Sequence, residues 1–271
     1  MTFSDLALSQ RLERAEGHAC REFAEALRRH DPDSGATTME WAGAHAVYAG
    51  VGSPITQSFG LGLFEDLTPT ALAHIEQFFL DRGAKVQHEV SPLAGLATID
   101  LLCLRGYRPI EISSVMYRPV EAPAPSNHAI AVRVAGVEEA ELWSDISVRG
   151  WAHDHPEFRE FLEQIGALMA ARPQNVCFLA ESDGQAGSAG ALFVHEGVAL
   201  CAGASTVPEM RNRGLQSALM HARMRYAFDH GCDLAMMVAA AGSQSQRNAE
   251  RAGFRIAYTR TKWELGGAAG A

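Results

Sequence analysis

The sequence predicts an α+β protein, a mixed α/β sheet flanked by helices, and predicts it twice in one chain. Three apolar runs, Asn175 to Glu181, Ala189 to His195 and Val198 to Val207, are joined by the short steps Ser182-Asp-Gly184 and Glu196-Gly197. Such steps between apolar runs are hairpin signals, so the runs read as an antiparallel meander. Segments with apolar residues at helical spacing stand on both sides of it. The chain also repeats itself, with Phe78-Phe-Leu-Asp-Arg-Gly-Ala84 matching Tyr226-Ala-Phe-Asp-His-Gly-Cys232 at an offset of 148.

A second match, Leu104-Arg-Gly-Tyr-Arg108 with Arg251-Ala-Gly-Phe-Arg255, falls at an offset of 147. Two matches at nearly one offset point to two copies of one domain. The break between them is Arg118-Pro-Val-Glu-Ala-Pro-Ala-Pro-Ser-Asn127, where three prolines favour an extended linker. The expected domains are 1–120 and 129–271. The first opens with a helix over roughly residues 4–28, whose Leu6, Leu12, Ala15, Ala19, Phe23 and Leu27 form an apolar stripe suited to interdomain packing.

In the second copy Val132-Arg-Val134 reads as a first strand, followed by helices over 138–148 and 157–171 and then the meander. A long helix runs from Gly214 to about His230 and stops at Gly231, which favours a left-handed cap. The strand Asp233 to Val238, a helix over 243–252 capped by Gly253, and closing strands over 254–265 complete the copy. Each domain is thus a central, mostly antiparallel sheet flanked by helices.

Composition narrows the function. With 271 residues, 47% apolar and 20% charged, the chain is an ordinary globular protein. It has no run of the roughly 20 apolar residues that a membrane span requires and no secretion signal at its start, so the cytoplasm is the expected compartment and no membrane partner is expected. A net charge of −9 argues against a nucleic-acid partner. Five dispersed cysteines, Cys20, Cys103, Cys177, Cys201 and Cys232, fit free thiols rather than bridges or a metal site.

The segment Val207-Pro-Glu-Met-Arg-Asn-Arg-Gly-Leu-Gln-Ser-Ala-Leu219 carries the chemistry. It joins the third meander strand to a helix whose first amides have no internal partners and whose dipole favours an anion. Gly214 permits close backbone approach, and Arg211 and Arg213 supply donors for phosphate oxygens. By itself the loop reads equally as a capped helix with solvated arginines.

Arg211-Asn-Arg-Gly214-Leu-Gln216, placed after that strand and before that helix, resembles the coenzyme A pyrophosphate loop of the GCN5-related N-acetyltransferase (GNAT) superfamily. The family loop reads Gln or Arg, two residues, Gly, one residue, then Gly or Ala; Gln216 departs from it at the last position. The resemblance extends over most of 132–265 and includes Arg251-Ala-Gly-Phe254. It implies that Ser205, Thr206 and Val207 offer backbone groups to the pantetheine arm, and that Arg211, Arg213, Gly214, Gln216, Ser217 and Ala218 surround the pyrophosphate. The asparagine and tyrosine that the family usually carries on its final helix fall at Gly242 and Ala249 and are missing.

The catalytic groups are therefore unassigned, with Glu209, Ser245, Asn248 and Tyr258 as candidates and Asn248 also as a coenzyme contact. Trp151, His153, Asp154 and His155, in the inter-helix region that commonly lines the acceptor pocket in this superfamily, are candidate substrate contacts; the alternative is a polar loop in which Asp154 or His155 sets up the next helix before Pro156. No third ligand accompanies the two histidines, so no metal is expected. In the first copy the phosphate loop maps onto Leu63-Phe-Glu-Asp-Leu-Thr68, where two carboxylates would repel an anion. That copy reads as degenerate, a scaffold or a wall of the substrate site. The resemblance implies an N-acetyltransferase that moves an acetyl group from acetyl-CoA directly to a small-molecule amine. The competing reading is a non-catalytic acyl-CoA sensor or regulatory subunit, and a homodimer stays open.

Overall fold

A computed structural model of the protein describes residues 3–122, 130–153, 156, 159–170 and 175–266. They divide into two compact units, one from the described residues of 1–116, 238–247 and 255–271, the other from 117–237 and 248–254.

The first unit opens with helix α1 (Leu6–His30), whose cap Asp5 accepts from the amide of Leu8 at 2.9 Å. Of the expected stripe, Leu12, Ala15 and Phe23 are buried, while Leu6 is exposed. Strands β1 (Thr37–Trp41) and β2 (Ala44–Tyr48) form a hairpin through Ala42 and Gly43, both left-handed. Next come β3 (Gln57–Phe59), α2 (Pro69–Leu80), β4 (Gln87–Val90), α3 (Gly95–Leu104) and β5 (Tyr107–Pro119). Leu61, Leu72, Ile75, Phe79, Leu102 and Tyr107 belong to its core.

The second unit holds β6 (Ala131–Val134), α4 (Ala140–Ala152), α5 (Arg159–Ala170), β7 (Asn175–Ser182), β8 (Gln185–His195), β9 (Val198–Thr206) and α6 (Leu215–Asp229). Strand β10 (Leu234–Ala240), α7 (Gln244–Arg251) and β11 (Arg255–Leu265) follow. The expected meander is present, with β7, β8 and β9 antiparallel in turn. Both of its turns have two left-handed residues, Asp183 and Gly184 in one and Glu196 and Gly197 in the other, as the right-handed twist of the flanking strands requires. Gly231 and Gly253 are left-handed at the ends of their helices.

Three features depart from the sequence reading. Over 254–265, where closing strands are expected, there is one strand, Arg255–Leu265. That strand, β11, pairs antiparallel with β4, Thr261 opposite Val90 and Trp263 opposite His88, and so belongs to the first unit although it follows the second in sequence. Arg118 and Pro119, expected in the linker, are the last residues of β5; residues 123–127 of that linker lie outside the described residues.

The repeat survives as architecture. The succession α2, β4, α3, β5 recurs as α6, β10, α7, β11 in the same order and at nearly the same spacing. All five cysteines are free: Cys177, Cys201 and Cys232 are buried, Cys20 is half-buried and Cys103 is exposed. Among the described residues no helix is long and apolar enough to cross a membrane.

Candidate functional site

Strand β9 is built unevenly. Its first residues pair with β10, from Val198 opposite Leu234 to Leu200 opposite Met236. The pairing stops there, so Cys201–Thr206 has no β10 partner among the described residues. On its other side β9 pairs with β8 across a bulge: Ala189 faces Ser205 and Ala191 faces Ala202, which sets Gly190 against both Gly203 and Ala204. Gly203 is left-handed at φ 60°, the conformation that lets an extra residue enter an antiparallel pair.

The strand runs into a single turn, Pro208–Met210, and then into α6. The residue capping α6 is Gly214, at φ 86°, which has no side chain to bond the first turn. The first helical hydrogen bond runs from the amide of Ala218 to the carbonyl of Gly214 at 3.1 Å. The amides of Leu215, Gln216 and Ser217 precede it and have no helical carbonyl to meet. With the helix dipole behind them, they can bind an anion.

The two arginines of the loop have different surroundings. Arg213 is exposed and donates to the carbonyl of Glu209 at 3.1 Å. Arg211 is half-buried, donating from Nε to the carbonyl of Thr206 at 3.3 Å and from Nη2 to the carbonyl of Gly150 at 3.2 Å. It ties the strand end to α4. Ser205 adds a bond from its hydroxyl to the carbonyl of Ser147 at 3.3 Å. Gln216, the departure from the family pattern, turns its carboxamide to the Oγ of Ser188 at 3.0 Å and to Oγ1 of Thr206 at 2.8 Å. Its side chain grips the sheet, and its backbone amide stays in the first turn of α6. Ser217 is exposed and Ala218 is buried beneath the turn.

The catalytic candidates scatter. Glu209 is exposed beside the strand end and is held in an ion pair by Arg149 of α4. Asn248 and Ser245 lie exposed on α7, where the Oδ1 of Asn248 accepts from Arg251 at 3.3 Å; the N-terminal cap there is Ser243, not Ser245. Ala249, at the expected tyrosine position, is 1% exposed and can only pack. Tyr258 is in the core of the first unit, donating to Oε1 of Glu13 at 2.9 Å; burial raises its pKa, and Glu13 beside it adds to the rise. Of the substrate candidates Trp151 is half-buried and His153 exposed at the end of α4, while Asp154 and His155 lie outside the described residues. Among the described residues no group of three or more His, Cys, Asp or Glu could hold a metal ion.

The first copy differs at the corresponding segment. Phe64 packs against the β1–β2 turn and Gly60, where a β-carbon at Gly43 or Gly60 would stand 2.3 or 2.8 Å from its side chain, and the guanidinium of Arg14 lies 4.6 Å over its ring. Helix α2 is capped by Thr68, whose Oγ1 accepts from the amide of Ala71 at 3.1 Å, and begins with Pro69, which has no amide to offer. Glu65 and Asp66 stand exposed just before it. Ser188, Arg149, Gly150 and Ser147 are site residues that the loop motif does not contain.

Residues 139–254 match the family model described as the acetyltransferase (GNAT) family. No curated protein matches the sequence. Among solved structures, a GCN5-related N-acetyltransferase from Kribbella flavida superposes with a TM-score of 0.68 at 17% identity, over 96% of each chain. A tandem GNAT protein from the clavulanic acid biosynthesis pathway superposes with a TM-score of 0.56 at 14% identity, over 83% of this chain and 79% of that one. A GCN5-related N-acetyltransferase from Sphaerobacter thermophilus gives 0.51 at 17% identity, over 82% and 80%. Residues 139–254 are thus similar to the acetyltransferase (GNAT) family, and the chain has the fold of tandem GNAT proteins.

Proposed function

We propose that the protein is an N-acetyltransferase that takes its acetyl group from acetyl-CoA and passes it directly to a small-molecule amine. One observation carries the reading: the carboxyl half of β9, unpaired on its β10 side, leads within a few residues to the uncapped amino end of α6. A free strand edge can bond an extended amide-bearing arm as a further strand would, and the helix amides can bond a pyrophosphate. The residues present fit coenzyme A. Gly214 leaves the backbone uncovered where the phosphates would approach, and Arg213 stands exposed beside it.

When bound, acetyl-CoA would supply an acyl group activated as a thioester. Leu215, Gln216 and Ser217 would hold the pyrophosphate through their amides, with Arg213 adding charge. Ser205, Thr206 and Val207 would orient the pantetheine arm, and backbone amides at the strand end would polarise the acyl carbonyl. The acceptor must arrive as a neutral amine, although free amines of this type have a pKa near about 10. Trp151 and His153, at the end of the helix tied to this loop by Arg211, would contact that acceptor.

Calorimetric titration with acetyl-CoA, followed by detection of free thiol over a panel of amines, tests the reading. Binding near one coenzyme per chain with thiol release on some amine supports it. Tight binding without release on any acceptor would identify a sensor instead, and no binding would remove the coenzyme altogether.

A further inference from the structure

Arg223 is 2% exposed and lies on the inner face of α6 with Leu219 and Ala227. Among the described residues no carboxylate pairs with it. Among the same residues its guanidinium donates to two backbone carbonyls, Leu219 in its own helix and Ala191 on β8, each at 3.4 Å. It packs over Gly190, where a β-carbon would stand 3.6 Å from the guanidinium carbon, an ordinary contact. A buried cation with so little compensation is costly compared with an apolar side chain of similar size, and such departures from packing rules gather at functional positions.

The position of its partner gives the reason. Ala191 flanks the bulge on one side, opposite Ala202; on the other side the pair Ser188 and Thr206 receives Gln216. Gln216 and Arg223 are seven residues apart, two turns of one helix, and share its inward face. Between their two grips lies Gly190, whose carbonyl accepts from Nε1 of Trp143 on α4 at 3.2 Å. A bulge withdraws backbone groups from the regular ladder, and here side chains from both helices meet that part of the seam.

We propose that Gln216 and Arg223 are positioning residues that clamp α6 to the β8–β9 seam on either side of the bulge. The clamp fixes where Ser205–Val207 lie relative to the amides of Leu215–Ser217. Gln216 then acts by holding the sheet, which accounts for a long side chain where the family pattern has a small one. That the two clamped segments jointly meet a coenzyme rests on the function proposed above.

Residue-resolved amide hydrogen exchange reads the clamp without any ligand. In Arg223→Met and in Gln216→Ala, the amides of Gly203–Thr206 should exchange at least about tenfold faster with α5 protection unchanged, since a local opening raises exchange only where it occurs. Acetyl-CoA Kd should rise about tenfold in both, and the KM for the amine should not change. Should Arg223→Met not fold, Gln216→Ala carries the same test. Exchange at Gly203–Thr206 within twofold of the parent in the folded variants would overturn the proposal. If exchange rises but the parent chain binds no acetyl-CoA, the clamp stands and the coenzyme reading falls.

Discussion

Gly150 and Ser205 are packed so tightly that a β-carbon added to Gly150 would stand 2.6 Å from both Cβ and Oγ of Ser205. A contact under 3 Å cannot persist, so Gly150→Ala has to push α4 and the end of β9 apart. It should lower acetyl-CoA affinity about tenfold and cost about 1 to 3 kcal/mol of stability, as overpacking in an ordered site does. Titration and thermal melting of the purified variant measure both.

Gly214 makes a separate demand. Its left-handed backbone excludes a β-carbon for conformational reasons, and the nearest atom to one would be Cδ1 of Ile130 at 3.3 Å. Gly214→Ala should cost about 1 to 2 kcal/mol, a drop in Tm of roughly 3 to 6 °C for a domain of this size. The same variant should lose acetyl-CoA affinity, because it moves the amides that bind the anion.

The arginines should separate by kind of effect. Arg213→Ala removes an exposed charge and should weaken acetyl-CoA binding severalfold, more at low salt than at high salt, without a change in melting. Arg211→Ala releases the carbonyls of Thr206 and Gly150 and should lower Tm as well as affinity. Titrations at two ionic strengths distinguish the two patterns.

Coenzyme stoichiometry tests the first copy. Thr68 caps the first turn of α2 and Pro69 has no amide to offer, so one acetyl-CoA should bind per chain. Removing the like charges with Glu65→Ala and Asp66→Ala should leave that value at about one, because the Thr68 cap and the missing amide of Pro69 remain.

Two buried groups in the first unit set opposite pH dependences. Burial pushes the carboxyl of Glu13 up to about 7, against the opposing pull of Arg260 beside it; Glu16 and Glu89 reinforce the rise. Between the ordinary carboxylate value and about 7 the folded chain keeps a proton that the unfolded chain has lost, so stability falls as pH rises through that window. His88 is the reverse case. Tyr107 donates to Glu76 at 3.2 Å, accepts from Nε2 of His88 at 2.8 Å, and leaves Nδ1 of His88 to accept from Ser58 at 2.6 Å. Burial lowers the His88 pKa to about 3, so stability is lost as pH falls below the ordinary histidine value. Chemical denaturation across pH 4 to 9 should show the two slopes opposing each other in the mildly acidic range. Glu13→Gln should remove the decline towards neutral pH, and a decline that persists unchanged in it would refute the assignment to Glu13.

The parts of this fold legible in the sequence are local ones. Asp183-Gly184 and Glu196-Gly197 specify their turns because both residues of each must be left-handed, and short dipeptides of this kind favour that. Gly214 before α6 is legible for the same reason. Gln216 is not, because its partner Ser188 is 28 residues away and has no motif of its own. Glu209 looks like a free base beside the strand, yet Arg149, 60 residues distant, pairs with it. Arg223 is not legible either, because Ala191, whose carbonyl it meets, is 32 residues away and carries no motif.

The place of β11 has a consequence for how the chain comes into being. The sheet of the first unit contains a strand translated after the whole of the second, and β4 lacks that neighbour until residues 255–265 have been made. At about 5 to 20 residues per second on the ribosome, the segment begun first waits many seconds for its last strand. The second unit can gather β6 to β9 and α6 meanwhile. The order of completion is the reverse of the order of synthesis, and a chain stopped before Arg255 would leave its oldest part unfinished.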